Sequence, residues 1–442
     1  MLGLKSLVRR VLIVSPHFPP VNAPDMQRAR IALPYLRQLG WEPVVLAVAP
    51  DLVEGAVIDP LLEQTYPSDI RVIRVRGISP KLTRRFGVGS LWWRCAHALR
   101  KAGDALLAKE KFDLVFFTTT QFDAFTFGPR WLEKFGVPYV LDYQDPWVND
   151  YYRLTKTRPP GGKLRFGFSQ FTARRREPKV VQQAAAILSV SPAYNRDLRQ
   201  RYPDLNAATL HHLPFGAATG DLELARRHTP ARPHINQQDG KTHLVYTGRC
   251  GPDMRRSLSA LFRAIKLYRD THPAAAARLH LHFIGTGYAP PPLGENCVTP
   301  LAIAAGVGDH VSEICYRIPY FEALHYLANA AALMVVGSDD PAYNASKLFP
   351  YLLSRRPLLT VAHNDSPMFQ LAHEQSPAST FGFPGDPDAT DIETLSKRIC
   401  DEWFVNRGWA SGPTGDVSKL EAHTASGMTQ RLAAIFSSAV IA

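Results

Sequence analysis

The chain has 442 residues, of which 45% are apolar, and 51 Lys and Arg against 39 Asp and Glu give a net charge of +12. This apolar content excludes a disordered chain, and Gly and Pro without a fixed period exclude a collagen-like one. The length predicts two domains, or three small ones, each with its own core. The longest nearly unbroken apolar run, 330–337, is far shorter than the roughly 18 residues of a membrane-spanning helix.

Short β-branched apolar runs alternate with longer helical patterns, which is typical of βαβ units around a parallel sheet. Continuous apolar runs indicate strands that are buried on both faces. In the first half of the chain, strands are predicted at 11–14, 43–48, 70–75, 114–117, 139–141, 186–190 and 209–213. In the second half, they are predicted at 244–247, 279–284, 311–315, 333–336, 358–361 and 380–383.

A polar stretch with Thr229-Pro230 and Arg232-Pro233 interrupts this alternation and predicts a domain boundary. We therefore expect two tandem doubly wound α/β domains with a closing helix. The predicted parts are an N-terminal domain (1–215), a linker (216–240), a C-terminal domain (241–415) and a C-terminal helix (416–442). In such sheets ligands bind beyond the carboxyl ends of the strands, so the residues that follow each strand are the candidates for a site.

The first strand is followed by a Pro-bounded loop that contains His17, and then by Arg28 and Arg30 early in a helical pattern. A strand-to-helix turn presents backbone N–H groups to anions, and arginines add positive charge. The alternative is a rigid loop with solvated arginines. The residues of this segment do not distinguish an anion site from such a loop.

The fifth strand ends in the motif Asp142-Tyr143-Gln144-Asp145-Pro146-Trp147. Carboxylates accept hydrogen bonds from sugar hydroxyls and Trp147 offers an apolar face, which favours hydroxyl recognition. The alternative is a helix N-cap, with Asp145 followed by Pro146 at the first helical position.

The strongest anion signal follows the first strand of the second domain. Gly248 permits close approach of the backbone, and Arg249 with Arg255 can neutralise a diphosphate. Gly285 and Gly287 form a second glycine turn, which lacks the third glycine of a dinucleotide fingerprint.

Further along, the polar loop with Asp339 and Asp340 enters a helical pattern that begins with Ser346 and Lys347. A lysine in a first helical turn opposes the helix dipole, and a bound anion would remove that conflict. The alternative is that Lys347 extends into solvent.

In their order and spacing, these motifs resemble GT-B glycosyltransferases of the family 4 type over nearly the full length of the chain. The matching elements are Phe18-Pro19-Pro20 with Arg28, Gly40-Trp41-Glu42-Pro43, Asp142 to Trp147, Val190-Ser191, Gly248-Arg249, Phe283 to Gly287, and Ser346-Lys347-Leu348-Phe349 with Tyr351. The resemblance implies two Rossmann-like domains facing across a cleft and a C-terminal helix that crosses back to the N-terminal domain. It also implies a nucleotide-sugar donor held mainly by the C-terminal domain and an acceptor held mainly by the N-terminal domain.

Family members retain the anomeric configuration and need no metal, so the resemblance implies no metal and no cofactor besides the nucleotide-sugar substrate. Arg249, with Lys347 or Arg255, would offset charge on the leaving diphosphate. The acceptor hydroxyl would attack from the same face and pass its proton to a phosphate oxygen. No general base is assigned, and Asp145 is the first candidate carboxylate. The expected donor-binding residues are Gly248, Arg255, Gly285, Gly287, Asp340, Tyr343 and Ser346. The expected acceptor-binding residues are His17, Arg28, Asp142 and Trp147.

The chain departs from the family pattern at two places. The N-terminal glycine pair is absent from 21–24, and Ala342 and Pro350 replace the paired glutamates, for which Asp339, Asp340 or Tyr343 are candidate substitutes. The missing glutamates keep open a non-catalytic protein of this fold that binds a membrane or a polyanion. A sugar-nucleotide epimerase on the same architecture is another alternative.

Nine basic residues and one acid, Glu177, lie between residues 153 and 179, interleaved with Leu164 and three phenylalanines. This pattern predicts contact with an anionic membrane surface; the alternative is a solvated helix with aromatic core contacts. No nucleic-acid-binding motif is found. Five widely spaced cysteines and an N-terminus without a signal-peptide pattern predict a cytoplasmic protein. We expect a glycosyltransferase of surface polysaccharide or glycolipid assembly, peripheral on the cytoplasmic face of the inner membrane.

Overall fold

The computed structural model describes residues 8–83, 89–149, 162–231, 233–287, 294–341, 348–385 and 391–441. The chain divides into two compact units. Unit 1 comprises Met1–Gly216 with Ala425–Ala442, and unit 2 comprises Ala217–Thr424.

Each unit is built on a parallel sheet. Unit 1 has seven strands in the order β3-β2-β1-β4-β5-β6-β7, and unit 2 has six in the order β10-β9-β8-β11-β12-β13. The strands are β1 (Arg9–Val14), β2 (Trp41–Val48), β3 (Arg71–Val75), β4 (Leu114–Thr118), β5 (Tyr139–Tyr143), β6 (Ala186–Ser189), β7 (Leu210–His212), β8 (Thr242–Thr247), β9 (Leu279–Ile284), β10 (Val311–Ile314), β11 (Ala332–Val336), β12 (Leu358–His363) and β13 (Thr380–Phe383). The predicted fold class, two tandem Rossmann-like domains, is confirmed.

Helices cover the sheets, so the apolar parts of the central strands, such as Val11 to Val14 of β1, are buried. The α-helices of the described residues are α1 (Gln27–Leu36), α2 (Pro80–Thr83), α3 (Leu91–Lys109), α4 (Phe127–Phe135), α5 (Lys163–Gln182), α6 (Pro192–Arg201), α7 (Thr219–Arg227), α8 (Arg255–Thr271), α9 (Pro273–Ala276), α10 (Thr299–Ala304), α11 (Tyr320–Asn329), α12 (Leu348–Leu353), α13 (Pro367–Gln375), α14 (Ile392–Ile399) and α15 (Ala425–Ile441). Short 3₁₀ turns connect several of them.

The closing helix α15 belongs to unit 1, although it follows unit 2 in the sequence. It packs against α1 and against β4, β5 and β6. Phe436 lies 5.4 Å from Trp41 and 5.0 Å from Phe116 between ring centroids. Because α15 is tied to unit 1 by buried aromatic contacts, unit 1 is complete only with the last part of the chain.

The stretch 216–240, for which the sequence favours a linker, holds the helix α7. Leu222 and Ala225 are buried, and α7 packs against α11 inside unit 2. Tyr320 donates a hydrogen bond to Asp221 across this pair, at 2.8 Å. Unit 2 therefore begins with an amphipathic helix, which the polar, proline-containing sequence did not indicate.

The strand order fixes where a ligand can bind in each sheet. The order reverses between β1 and β4 in unit 1 and between β8 and β11 in unit 2. At such a switch point the loops that follow neighbouring strands diverge and leave a crevice beyond the carboxyl ends. The loops after these four strands therefore border the crevice of each unit.

Across the described ranges, no helix is both long and apolar enough to span a bilayer. All five cysteines lie in those ranges, and each is a free thiol.

Candidate functional site

A histidine–aspartate pair occupies the switch point of unit 1. His17 follows β1, and its Nδ1 lies 2.8 Å from Asp25 Oδ1. The hydroxyls of Thr119 and Thr120 and the backbone N–H of Thr120 donate to Asp25 Oδ2 from the end of β4. Burial alone would raise the pKa of Asp25, but the hydrogen bond and charge of His17 and the threonine donors hold it below its usual value. Asp25 thus orients the imidazole and leaves Nε2 for another partner.

Asp145 lies close to this pair, directly beyond β5. Its side chain is exposed but flanked by protein atoms, and this partial burial, with the negative charge of Asp25, raises the pKa of its carboxyl. Burial and the charge of Asp145 in turn raise the pKa of Tyr194, in the first turn of α6. His17, Asp145 and Tyr194 therefore form a polar rim on the loops that follow β1, β5 and β6.

Residues 144–149 contain no helix. Asp145 is therefore not a helix N-cap, which was the alternative interpretation of its sequence motif.

Arg28 and Asp142 are also brought together, but inside the unit. Both side chains are fully buried, and Arg28 Nε donates to Asp142 Oδ2 at 2.8 Å. Thr118 donates to the same oxygen, while the other carboxylate oxygen of Asp142 has no partner among the described residues. The guanidinium also donates to the carbonyl of Leu213 at 2.7 Å. Arg28 and Asp142 therefore lie beneath the rim and can hold it in position. The Arg28 side chain is not solvated, and the Asp142 carboxylate is not exposed to solvent.

Trp147 lies in the core. It is buried and stacks on Phe122 at 6.2 Å, with Phe125 edge-on at 5.9 Å. The face that we expected to be offered to an acceptor is therefore covered by aromatic neighbours.

The loop after β8 forms the centre of the unit 2 edge. The N–H of Gly248 donates to the carbonyl of Ile284, at the end of β9. Arg249 points to Asp253 four residues on and forms two parallel hydrogen bonds, of 2.9 and 2.8 Å. These bonds to Arg249 lower the pKa of Asp253. The pair is only partly buried, with 27% and 35% of the two side chains exposed to solvent.

Arg256, which the sequence analysis did not single out, lies nearer to this edge than Arg255. Arg255 is exposed, whereas Arg256 lies 3.5 Å from Asp339 Oδ1 and donates to the carbonyl of Pro384. Burial raises the pKa of Asp339, the charge of Arg256 opposes the rise, and Asp253 adds to it. Both arginines stand in the first turn of α8, a 17-residue helix whose N-terminus adds positive potential.

The two positions after β9, Gly285 and Gly287, require glycine for different structural reasons. Gly285 has φ +75, a left-handed conformation that glycine adopts without strain. At Gly287 a Cβ would come within 2.5 Å of the carbonyl oxygen of Cys315. The turn therefore needs glycine for its own folding, whether or not a ligand binds there.

Of the remaining predicted residues, Asp340 is exposed beyond β11, and its backbone N–H donates to Ser338 Oγ at 3.1 Å. Tyr343, Ser346 and Lys347 lie outside the described residues. Tyr351, on the helix that follows them, is anchored to the end of β8, because the N–H of Thr247 donates to its hydroxyl at 2.6 Å.

Sequence reasoning missed Asp25, Thr119, Tyr194 and Arg256. The run of threonines at the end of β4 is a readable signal, because polar side chains directly after a buried strand fall at the functional edge. Asp25 gives no such signal, since its pairing with His17 depends on the path of the loop between them. Among the described residues, no three His, Cys, Asp or Glu side chains are grouped so as to hold a metal ion.

Two Rossmann-like units in tandem, with arginines beyond the first strand of the second, define the GT-B class of fold. A family model described as "Glycosyl transferase 4-like domain" matches residues 27–216, most of unit 1. Residues 27–216 are thus similar to a glycosyltransferase domain, in agreement with the resemblance that the sequence motifs carry. A search with the sequence found no matching curated protein.

Solved structures match over almost the whole chain at low identity. One is the N-terminal domain of trehalose-6-phosphate phosphatase from Candida albicans, with 13% identity, a TM-score of 0.57, and coverage of 99% of this chain and 98% of that one. Another is a glycosyltransferase from Rickettsia africae ESF-5, with 12% identity, a TM-score of 0.50, and coverage of 96% of each chain. Likeness at this identity establishes the fold.

Proposed function

We propose that this chain transfers a sugar from a nucleotide-sugar, bound by unit 2, to a glycan or lipid-linked acceptor, bound by unit 1. The transfer retains the anomeric configuration, needs no metal, and serves surface polysaccharide or glycolipid synthesis. The protein acts in the cytoplasm, at the inner face of the membrane. Two findings support the proposal: the match of residues 27–216 to a glycosyl transferase 4-like domain, and the chemistry of the side chains at the carboxyl edges of the two sheets.

The observation that carries the proposal is the partly exposed guanidinium of Arg249 beyond β8. A diphosphate has two negative groups that can replace the carboxylate of Asp253 on the same donors, and phosphates suit the bidentate geometry of arginine. Arg256 and the N-terminus of α8 add positive charge on the same edge. Preorganised charge of this kind stabilises the diphosphate as it leaves.

The polar rim of unit 1 supports an acceptor with hydroxyl groups. His17 Nε2 and the Asp145 carboxylate can accept hydrogen bonds from hydroxyls, and the Tyr194 hydroxyl can donate one. The raised pKa of Tyr194 keeps its proton in place at neutral pH. Arg28 and Asp142 act in this proposal as positioning residues, because both are buried beneath the rim.

The test begins with purified full-length chain and a panel of UDP-, GDP-, dTDP- and ADP-sugars. One of them is expected to raise the melting temperature and to donate its sugar to a hydroxyl acceptor. Product NMR then gives the anomeric configuration, and a chelator control tests the metal. Formation of a sugar isomer without an acceptor would instead indicate an epimerase. Absence of stabilisation by every donor would indicate a non-catalytic protein.

A further inference from the structure

The outer face of α5 carries a stripe of exposed apolar side chains. Leu164, Phe168 and Phe171 are 91%, 60% and 52% exposed. Their spacing of four and three residues places them along one side of the helix. The opposite side of α5 holds the buried residues Ala173 and Glu177. An isolated exposed leucine needs no explanation, but three large apolar side chains aligned on one helix face indicate a partner.

Basic side chains surround this stripe, and the helix has one acid. Arg165, Arg175 and Lys179 are exposed, and the Arg175 guanidinium lies 4.2 Å from the centroid of the Phe171 ring. The acid, Glu177, is fully buried and accepts hydrogen bonds from Tyr143, Arg201 and Tyr202. The exposed face of α5 is therefore apolar in its N-terminal half and has a basic margin, which Arg165 forms beside the stripe and Arg175 and Lys179 form at its C-terminal end.

A second apolar cluster lies on the same edge of unit 1. Ile78, Leu82 and Trp93 are 52%, 66% and 63% exposed, and the N–H of Ile78 donates to the carbonyl of Arg94, beside Trp93. The helix α4 packs against both α3 and α5, so these helices form one layer. Since α3 and α5 each lead back from the carboxyl edge of the sheet to its amino edge, their first turns lie on the same edge.

We propose that these two clusters, Ile78-Leu82-Trp93 and Leu164-Phe168-Phe171 with its basic margin, together form a docking surface for an anionic phospholipid bilayer. Apolar side chains insert below the headgroups, a tryptophan favours the interface, and lysines and arginines bind anionic lipids. A second copy of the chain fits less well, because it would bring its own basic margin against this one.

This surface deepens the proposed function and rests on it for the lipid-linked acceptor. The clusters flank the loops after β3 and β5, on the same sheet edge as His17 and Asp145. A bilayer held there presents a lipid-linked acceptor to the polar rim. The binding itself needs no donor and no turnover, so it can be tested separately.

The test is sedimentation of the full-length protein with vesicles of phosphatidylcholine alone and with phosphatidylglycerol added. We expect binding to the anionic vesicles that weakens with salt. The triple variant Arg165→Ala, Arg175→Ala, Lys179→Ala should weaken it by about 100-fold, since each charge contributes a factor of several. Phe168→Ser with Phe171→Ser, and separately Trp93→Ser, should each weaken it by about tenfold or more.

Matched controls come from unit 2. Ile303 is 64% exposed and Lys266 is exposed. Ile303→Ser and Lys266→Ala therefore remove one exposed apolar and one exposed basic side chain, and they should leave vesicle binding unchanged. Brominated lipid should quench fluorescence in the wild type, and Trp93→Phe should remove that part of the quenching.

Two results would overturn the docking surface. One is equal binding of wild type and all surface variants, and the other is self-association of the wild type that Phe168→Ser abolishes, which would assign the stripe to a second copy. Transfer to a soluble acceptor should be unchanged in every surface variant. Vesicle binding without any sugar transfer would reject the proposed function but support the docking surface. Sugar transfer without vesicle binding would support the proposed function but reject the docking surface.

Discussion

Replacing Arg249 with alanine tests the proposed donor site most directly. The variant removes the guanidinium that lies beyond β8 and is proposed to stabilise the leaving diphosphate. Loss of one preorganised donor at a developing anion typically lowers turnover by about 100- to 1,000-fold. Asp253 would then lose the partner that lowers its pKa, and its negative charge would oppose the phosphates without compensation.

The structure predicts that this loss occurs without unfolding. The Arg249–Asp253 pair is partly exposed, and exposed pairs contribute about 0.2–1 kcal/mol to stability. In a unit of this size, 1 kcal/mol corresponds to about 2–4 °C of melting temperature. A large fall in turnover with a melting temperature lowered by no more than about 4 °C would therefore isolate the chemical role of Arg249.

The assay compares initial rates of sugar transfer for wild type, Arg249→Ala and two companions. Arg398 forms a pair with Glu402 at the same four-residue spacing on the α14 side of unit 2, so Arg398→Ala is the matched control and should transfer normally. Asp253→Asn removes the carboxylate that competes for Arg249 and should tighten donor binding. Turnover of Arg249→Ala at the wild-type rate would refute the phosphate assignment, as would equal losses in Arg249→Ala and Arg398→Ala.

Three further predictions follow from buried polar groups. Asp25→Asn should raise the acceptor KM by about 10- to 100-fold, because Asp25 orients His17 through a charge-assisted hydrogen bond. Steady-state kinetics should show this rise together with an unchanged donor KM. A rise in both Michaelis constants would contradict the prediction. Arg28→Ala should lower the free energy of unfolding by about 3–5 kcal/mol, since it leaves the buried Asp142 carboxylate without its cationic partner. Urea denaturation measures this loss, and Arg76→Ala is the control, because Arg76 pairs with Asp51 on the surface, where 68% and 57% of the two side chains are exposed. An equal loss in both variants would refute the prediction. Burial and the neighbouring His280 and His243 lower the pKa of His282 from 6.5 to about 3, so the unfolded state binds the extra proton between these values. Unfolding should therefore become easier by up to about 1.4 kcal/mol per pH unit below 6.5, and a denaturation series in pH should show a shallower slope for His282→Asn.

The strands could be predicted because their signal is local. An apolar run such as 11–14 must be buried on both faces, and each strand position predicted from the sequence holds a strand. The boundaries moved where pairing extends the strand past its apolar part. β1 begins at Arg9 because Arg9 is in register with Trp41 of β2, although the arginine itself is only half-buried.

The candidate site was predicted less completely, because position after a strand does not tell which way a side chain points. Arg28 and Asp142 both lie at the functional edge, as expected, but they turn inward to one another across 114 residues of sequence. Trp147 follows the same strand and enters the aromatic core. Nothing local distinguishes these residues from Asp145, which stays at the rim.

The two arginine–aspartate pairs at the two sheet edges show what separates a structural cation from one that can bind a substrate. To bind a phosphate, an arginine must first release its carboxylate partner. For the buried pair of Arg28 and Asp142, this release would leave a charged carboxylate in the core, at a cost of about 3–5 kcal/mol. For the partly exposed pair of Arg249 and Asp253, water replaces the lost contact, and the cost falls to about 1 kcal/mol or less. A doubly charged diphosphate can offset the second cost through stronger bidentate bonds. The exposure of the pair, more than the presence of an arginine, is therefore the reason for proposing that the donor binds at the edge of unit 2.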